Sequence, residues 1–190
     1  MRRACARSVL ALLLCAACGC ETPEPAQVSV PQPVMRVEAP VTTPAVLPGV
    51  VPADPAAIPE WLQTFGYRVW SPQTDIRMAG EHGGERLYFN KLLTKSVLAG
   101  AADHPIGSAA VRELYSPDLK TLKGFALMHK TGPSGPVGEG WYWFEIFGTS
   151  AEAEPTVAQT AARGCVGCHS HAVDFVHSID TPREDPQPLL

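Results

Sequence analysis

Gly140-Trp141-Tyr142-Trp143-Phe144-Glu145-Ile146-Phe147-Gly148 is a run of aromatic and aliphatic residues with one carboxylate, closed at both ends by glycine. Aromatic and β-branched side chains favour extended backbone, and an apolar run of this length between turn residues reads as a strand covered on both faces. Side-chain alternation puts Trp141, Trp143, Glu145 and Phe147 on one face, with Tyr142, Phe144 and Ile146 on the other. Upstream, Gly124 to Lys130 and Ser108 to Tyr115 read as two more strands, with Ser116-Pro117-Asp118 opening the turn between them. The connection Thr131 to Glu139 carries Gly132, Pro133, Gly135, Pro136 and Gly138 and reads as a loop. Arg86 to Phe89 adds a strand, and Asn90 is placed to cap a short helix from Lys91 to Leu98. Thr156 to Arg163 and His171 to Ser178 have helical character. The predicted class is α+β, a predominantly antiparallel β-sheet with short helices.

Between those two C-terminal segments stands Cys165-Val166-Gly167-Cys168-His169, the C-x-x-C-H signature of covalent c-type haem attachment. Two thiols at this spacing add to the two vinyl groups of one haem, and the adjacent imidazole becomes the proximal iron ligand. The expected cofactor is therefore one haem c, bound through Cys165 and Cys168, with its iron on His169. A redox-active C-x-x-C needs no following histidine and normally follows a strand in a βαβ pattern. A zinc site built from Cys165, Cys168, His171 and His177 is a further alternative, although common zinc fingers separate their ligand pairs by about a dozen residues or more. Only 21 residues follow His169, and none is methionine. Met78 and Met128 lie upstream and read as packing residues. His82, His104, His129, His171 and His177 read as surface or hydrogen-bonded histidines rather than sixth ligands.

The N-terminus reads as an export signal over residues 1–20: Arg2, Arg3 and Arg7 precede the apolar stretch Val9 to Ala17, and small residues follow. Cys18 after Ala16-Ala17, or Cys20 after Gly19, resembles the acylated cysteine of a bacterial lipoprotein. The expected location is the periplasm, with membrane attachment through that cysteine. Cys5, Cys15, Cys18 and Cys20 all fall in this segment, so the mature domain keeps only Cys165 and Cys168 and has no disulfide framework.

Residues 21–59 hold ten of the nineteen prolines and read as an extended tether, which leaves 60–190 as one folded domain. Removing residues 1–20 takes three of the 15 basic side chains and none of the 19 acidic ones, so the acidic excess grows from four to seven. That balance argues against nucleic acid as a partner.

An ordered set of motifs resembles the cytochrome P-460 family and the related β-sheet cytochromes c-prime-beta. It comprises Arg86-Leu87-Tyr88-Phe89-Asn90, His104-Pro105-Ile106-Gly107, Val111-Arg112-Glu113-Leu114-Tyr115, Gly140-Trp141-Tyr142-Trp143-Phe144-Glu145, and Cys165-Val166-Gly167-Cys168-His169 followed by Asp174. The resemblance spans about Tyr67 to Ile179. It implies a homodimer whose iron is bound by His169 and open on the opposite face, and a protein that binds nitric oxide or oxidises hydroxylamine. Enzymatic members carry a second covalent link from a lysine to the haem ring. That lysine belongs in the segment Ala110 to Glu113, where this chain has Arg112, with Lys130 on the neighbouring strand as the other position. A guanidinium stays protonated and is a poor nucleophile, which counts against hydroxylamine oxidation.

Glu145 is the candidate proton-transfer group if its face meets the haem, or it pairs with Arg112 across the sheet. Asp174 is placed either to accept the imidazole proton of His169 or to favour a local helix. The expected function is an exported monohaem cytochrome that binds or redox-transforms small nitrogen species. The alternatives are a non-catalytic electron carrier working with a redox partner protein, and a haem-based gas-binding protein.

Overall fold

The computed structural model describes residues 47–79 and 83–177. The export signal, the first part of the tether, His82 and the last residues lie outside them. Six strands follow one another in space as they do in sequence: β1 (Arg77–Met78), β2 (Gly84–Phe89), β3 (Ala109–Tyr115), β4 (Leu122–Lys130), β5 (Trp141–Phe147) and β6 (Pro155–Thr160). Every neighbouring pair is antiparallel. Three short α-helices accompany the sheet: α1 (Ile58–Gln63), α2 (Lys91–Leu98) and α3 (Arg163–His169). The expected α+β class with an antiparallel meander is what forms.

Alternation along β5 divides the interior into two cores. Tyr142, Phe144 and Ile146 join Trp61, Leu62, Tyr67, Trp70, Tyr88, Val111 and Phe125 beneath α1. Trp141 and Trp143 face the other way, with Leu87, Phe89, Leu93, Ala110, Ala162, Phe175 and Val176. A sheet covered on both faces leaves few polar positions in its central strands, which is why the Trp141–Phe147 run reads almost without interruption. The exception in the first core is Glu113, whose side chain is fully buried. Tyr67 and Tyr115 donate to its two oxygens at 2.6 and 2.8 Å, and Arg68 and Arg86 complete the shell at 2.7 and 2.8 Å. Burial pushes this carboxyl up, but the bonds from Tyr67, Arg86, Arg68 and Tyr115 outweigh it and hold it below the usual carboxylate range.

α2 forms where the sequence places it, with the Asn90 side chain accepting from the Leu93 amide at 2.9 Å and donating to the Gly107 carbonyl at 2.8 Å. Three expectations need correction. Pro155–Thr160, overlapping the segment Thr156 to Arg163 read as helical, is strand β6, because pairing with β5 outweighs the helix preference of Ala158 and Gln159. Residues 171–177 form turns and a short bridge instead of a helix, and Asp174 and Phe175 both have left-handed backbones. The tether stops short of Pro59: Ile58 is 2 % exposed in the first core, the Gly49 amide donates to the Gly66 carbonyl, and Trp70 Nε1 donates to the Gly49 carbonyl. A proline early in α1 removes no intrahelical donor, so Pro59 sits in the first turn without penalty.

Candidate functional site

Helix α3 carries Cys165, Cys168 and His169 at positions i, i+3 and i+4, which share one face of an α-helix. That face closes one side of a cavity of about 340 Å³. The opposite side is the sheet, in two cross-strand rows. One runs Leu87, Arg112, Ala126, Glu145 and Val157; in the other, Ala110, Met128, Trp143 and Gln159 lie side by side. The cavity is therefore mostly apolar, with a cysteine pair and an imidazole on one wall and Arg112, Glu145 and Gln159 among the sheet residues. Its volume lies at the lower end of the roughly 300–1,000 Å³ of ordinary ligand pockets.

His169 is fixed by the chain that follows it. Its Nδ1 lies 2.7 Å from the Phe175 carbonyl oxygen, which can only accept, so Nδ1 carries the proton and Nε2 keeps the lone pair. Burial is the main cause that lowers the imidazole to about 4, with the Phe175 bond acting in the other direction. A neutral histidine with a bonded Nδ1–H is the state a metal-binding imidazole requires. The Trp143 ring stands edge-on to it, centroids 4.8 Å apart, and His177 packs beside it at 4.8 Å. Trp143 Nε1 is buried and has no hydrogen-bond partner among the described residues, which is costly unless something in the cavity accepts from it.

Cys165 and Cys168 form no disulfide among the described residues, and burial raises the Cys165 thiol above its ordinary value. That shift disfavours the thiolate a redox-active pair needs. Among the described residues no group of three or more His, Cys, Asp or Glu side chains converges on a metal centre, so the tetrahedron of Cys165, Cys168, His171 and His177 is not assembled. Two thiols and an imidazole with an available Nε2 on the wall of an apolar cavity, together with an unanswered indole donor, fit a covalently bound haem.

Arg112 and Glu145 both line this cavity, on one face of the sheet with Ala126 between them. Arg112 Nε lies 3.0 Å from Glu85 Oε2, within ion-pair range although not aligned as a hydrogen bond. Burial lowers the guanidinium, and Glu85 and Glu145 oppose that shift. Glu145 Oε1 accepts from the Thr156 hydroxyl at 3.1 Å. Met128 lines the same cavity, whereas Met78 is exposed on β1 and packs in no core. Lys130, the other position considered for a haem cross-link, is not in the cavity wall; its ammonium is held by Asp103 and Asp174.

Asp174 departs from both of its expected roles. It takes donors from Lys130, Trp141, Ser134 and the His104 amide, while the imidazole proton goes to the next residue's carbonyl. Sequence reasoning missed Phe175 because a backbone acceptor has no side-chain signature. It missed Gln159 because β6 was read as helix; period-2 alternation of Val157 and Gln159 was the available signal. No protein-family model matches this chain, and neither does any curated protein.

Proposed function

We propose that the chain is an exported monohaem c-type cytochrome of P-460-like type, tethered in the periplasm through an acylated Cys18 or Cys20 and acting as a homodimer on small nitrogen species. The observation that carries this reading is the coincidence of Cys165, Cys168 and a neutral, Nδ1-bonded His169 on one helix face bordering an apolar cavity. Cys165 and Cys168 would hold the haem by thioether bonds, and His169 Nε2 would hold its iron. When bound, the haem supplies a one-electron couple and a coordination position for a ligand the size of nitric oxide or hydroxylamine. Leu87, Ala110, Ala126 and Val157 exclude water from that space, which strengthens every charge left within it. Glu145 is the group able to hand over or accept a proton there, and Arg112, paired with Glu85, adds hydrogen-bond donors on the same face. Arg112 in place of a lysine points to ligand binding or reduction in preference to hydroxylamine oxidation.

Met128 favours a second reading. A thioether lining the cavity suits a Met/His-ligated, six-coordinate electron carrier serving a redox partner protein. One optical experiment separates them, on full-length protein from a host that performs cytochrome c maturation. A high-spin ferrous spectrum that changes on adding nitric oxide or carbon monoxide supports the open site. A low-spin spectrum indifferent to both gases, converted to high spin by Met128→Leu, establishes the carrier. Colourless protein with unmodified Cys165 and Cys168 by mass removes the haem reading altogether.

A further inference from the structure

We propose that the buried Lys130–Asp174 ion pair is the positioning device for the axial imidazole, acting through the Phe175 carbonyl without touching His169. The inference rests on the haem reading above. Lys130 Nζ lies 2.5 Å from Asp174 Oδ2, and the two side chains are 1 and 2 % exposed. A buried charge pair of this kind persists only where its other bonds are satisfied, and here they are. The same ammonium reaches Asp103 Oδ1 at 2.5 Å and the Ser134 hydroxyl at 2.6 Å. Asp174 Oδ2 also accepts from the His104 amide at 2.8 Å, and Oδ1 from Trp141 Nε1 at 3.1 Å and from Ser134 at 2.5 Å. One carboxylate thus ties together β4, the loop after it, β5 and the loop before β3.

The backbone explains what this clamp is for. Asp174 and Phe175 have φ of 43° and 63°, two successive left-handed residues that are not glycine. Aspartate tolerates that conformation better than most residues, but nothing in a phenylalanine side chain favours it, so surrounding contacts have to impose the pair. The carboxylate anchors the first of the two, and the Phe175 ring, 8 % exposed in the second core, anchors the other. The product of the reversal is a carbonyl aimed at His169 Nδ1, 2.7 Å away. Hydrogen bonding at Nδ1 orients a ligating imidazole and raises its basicity, so a displaced carbonyl weakens the ligand. Lys130 thereby serves the Nδ1 side of the histidine through Asp174 and the Phe175 carbonyl.

The test uses full-length, haem-loaded protein with Asp174→Asn, the double variant Lys130→Met with Asp174→Asn, which strands neither charge, and Ser134→Ala, an exposed partner of the same carboxylate. Resonance Raman of the ferrous form reads the iron–histidine stretch, and a redox titration reads the potential. The expected result is thioether content equal to wild type, a lower and broader stretch, and a more positive potential. The shift is largest in the buried-pair variants and small but of the same sign in Ser134→Ala. Wild-type stretch and potential in the haem-loaded variants, with only the melting temperature lowered, would overturn the proposal and leave the haem reading intact. Loss of haem from the wild-type chain itself would remove that reading first, and this inference with it.

Discussion

Glu145 and Arg112 occupy one cross-strand row with only Ala126 between them, and each has a partner of its own, Thr156 and Glu85. Their roles differ accordingly. Arg112 is tied to a buried carboxylate at the sheet's β2 side, so its removal acts on stability as well as on the cavity. Glu145 is the better single probe of chemistry. Glu145→Gln keeps the shape and an oxygen for the Thr156 hydroxyl while deleting the charge. Haem attachment should be unchanged, and any proton-consuming reaction with nitric oxide or hydroxylamine should slow about a hundredfold, the usual contribution of one positioned acid or base. Stopped-flow rates across pH check it; an unaltered rate and profile would restrict Glu145 to structure. Arg112 was singled out by the resemblance, and the side of β5 that Glu145 takes was legible from the two-residue period of a strand. The Phe175 carbonyl was not, nor were the partners of Asp174, which come from positions 104, 130, 134 and 141 and meet only once the sheet has formed.

Among the elements, those with local punctuation could be read and those decided by tertiary contact could not. Asn90 begins α2 and glycines bound β5, and both elements form within a residue or two of where those signals put them. β6 carries a sequence of mixed preference, and its hydrogen bonds to β5 decide the outcome. α1 was hidden by composition, because prolines on both sides of Ile58 give the region the look of a tether. The corrected boundary has a measurable consequence. A chain beginning at Glu60 loses the burial of Ile58, worth about 1.5–3 kcal/mol, and leaves the Trp70 indole without the Gly49 carbonyl, worth about 1 kcal/mol more. Urea unfolding should place it lower, by roughly the sum of these, than a chain beginning at residue 47. Equal midpoints for the two truncations would return residues 47–59 to the tether.

At the level of the whole molecule, the ionisable groups withdrawn from water shift in directions that together define a pH window of stability. Burial lowers His104 and His129 below 6.5, so the unfolded chain takes up their protons first. Their contribution is complete above about pH 6.5 and drains away as pH falls through their lowered values. Glu113 and Asp174 are also lowered, burial being outweighed by the bonds each accepts. Their contribution is present above the ordinary carboxylate range and is lost below it. The alkaline limit comes from the tyrosines around Glu113. Burial, followed by the bond to Glu113, pushes Tyr115 up to about 12 and raises Tyr67 in the same direction. A folded phenol that resists ionisation stabilises the protein below about pH 10, and that advantage disappears as pH climbs towards 12. Urea midpoints should therefore be level between about pH 7 and 9, decline first through the histidine range and then more steeply through the carboxylate range. His129→Gln isolates one component, since burial alone accounts for its shift. The variant should keep the steep carboxylate limb and lose part of the decline between pH 6.5 and 5. If the two proteins decline in parallel over that interval, His129 titrates alike in the folded and unfolded chains, and the decline there belongs to His104 and the carboxylates.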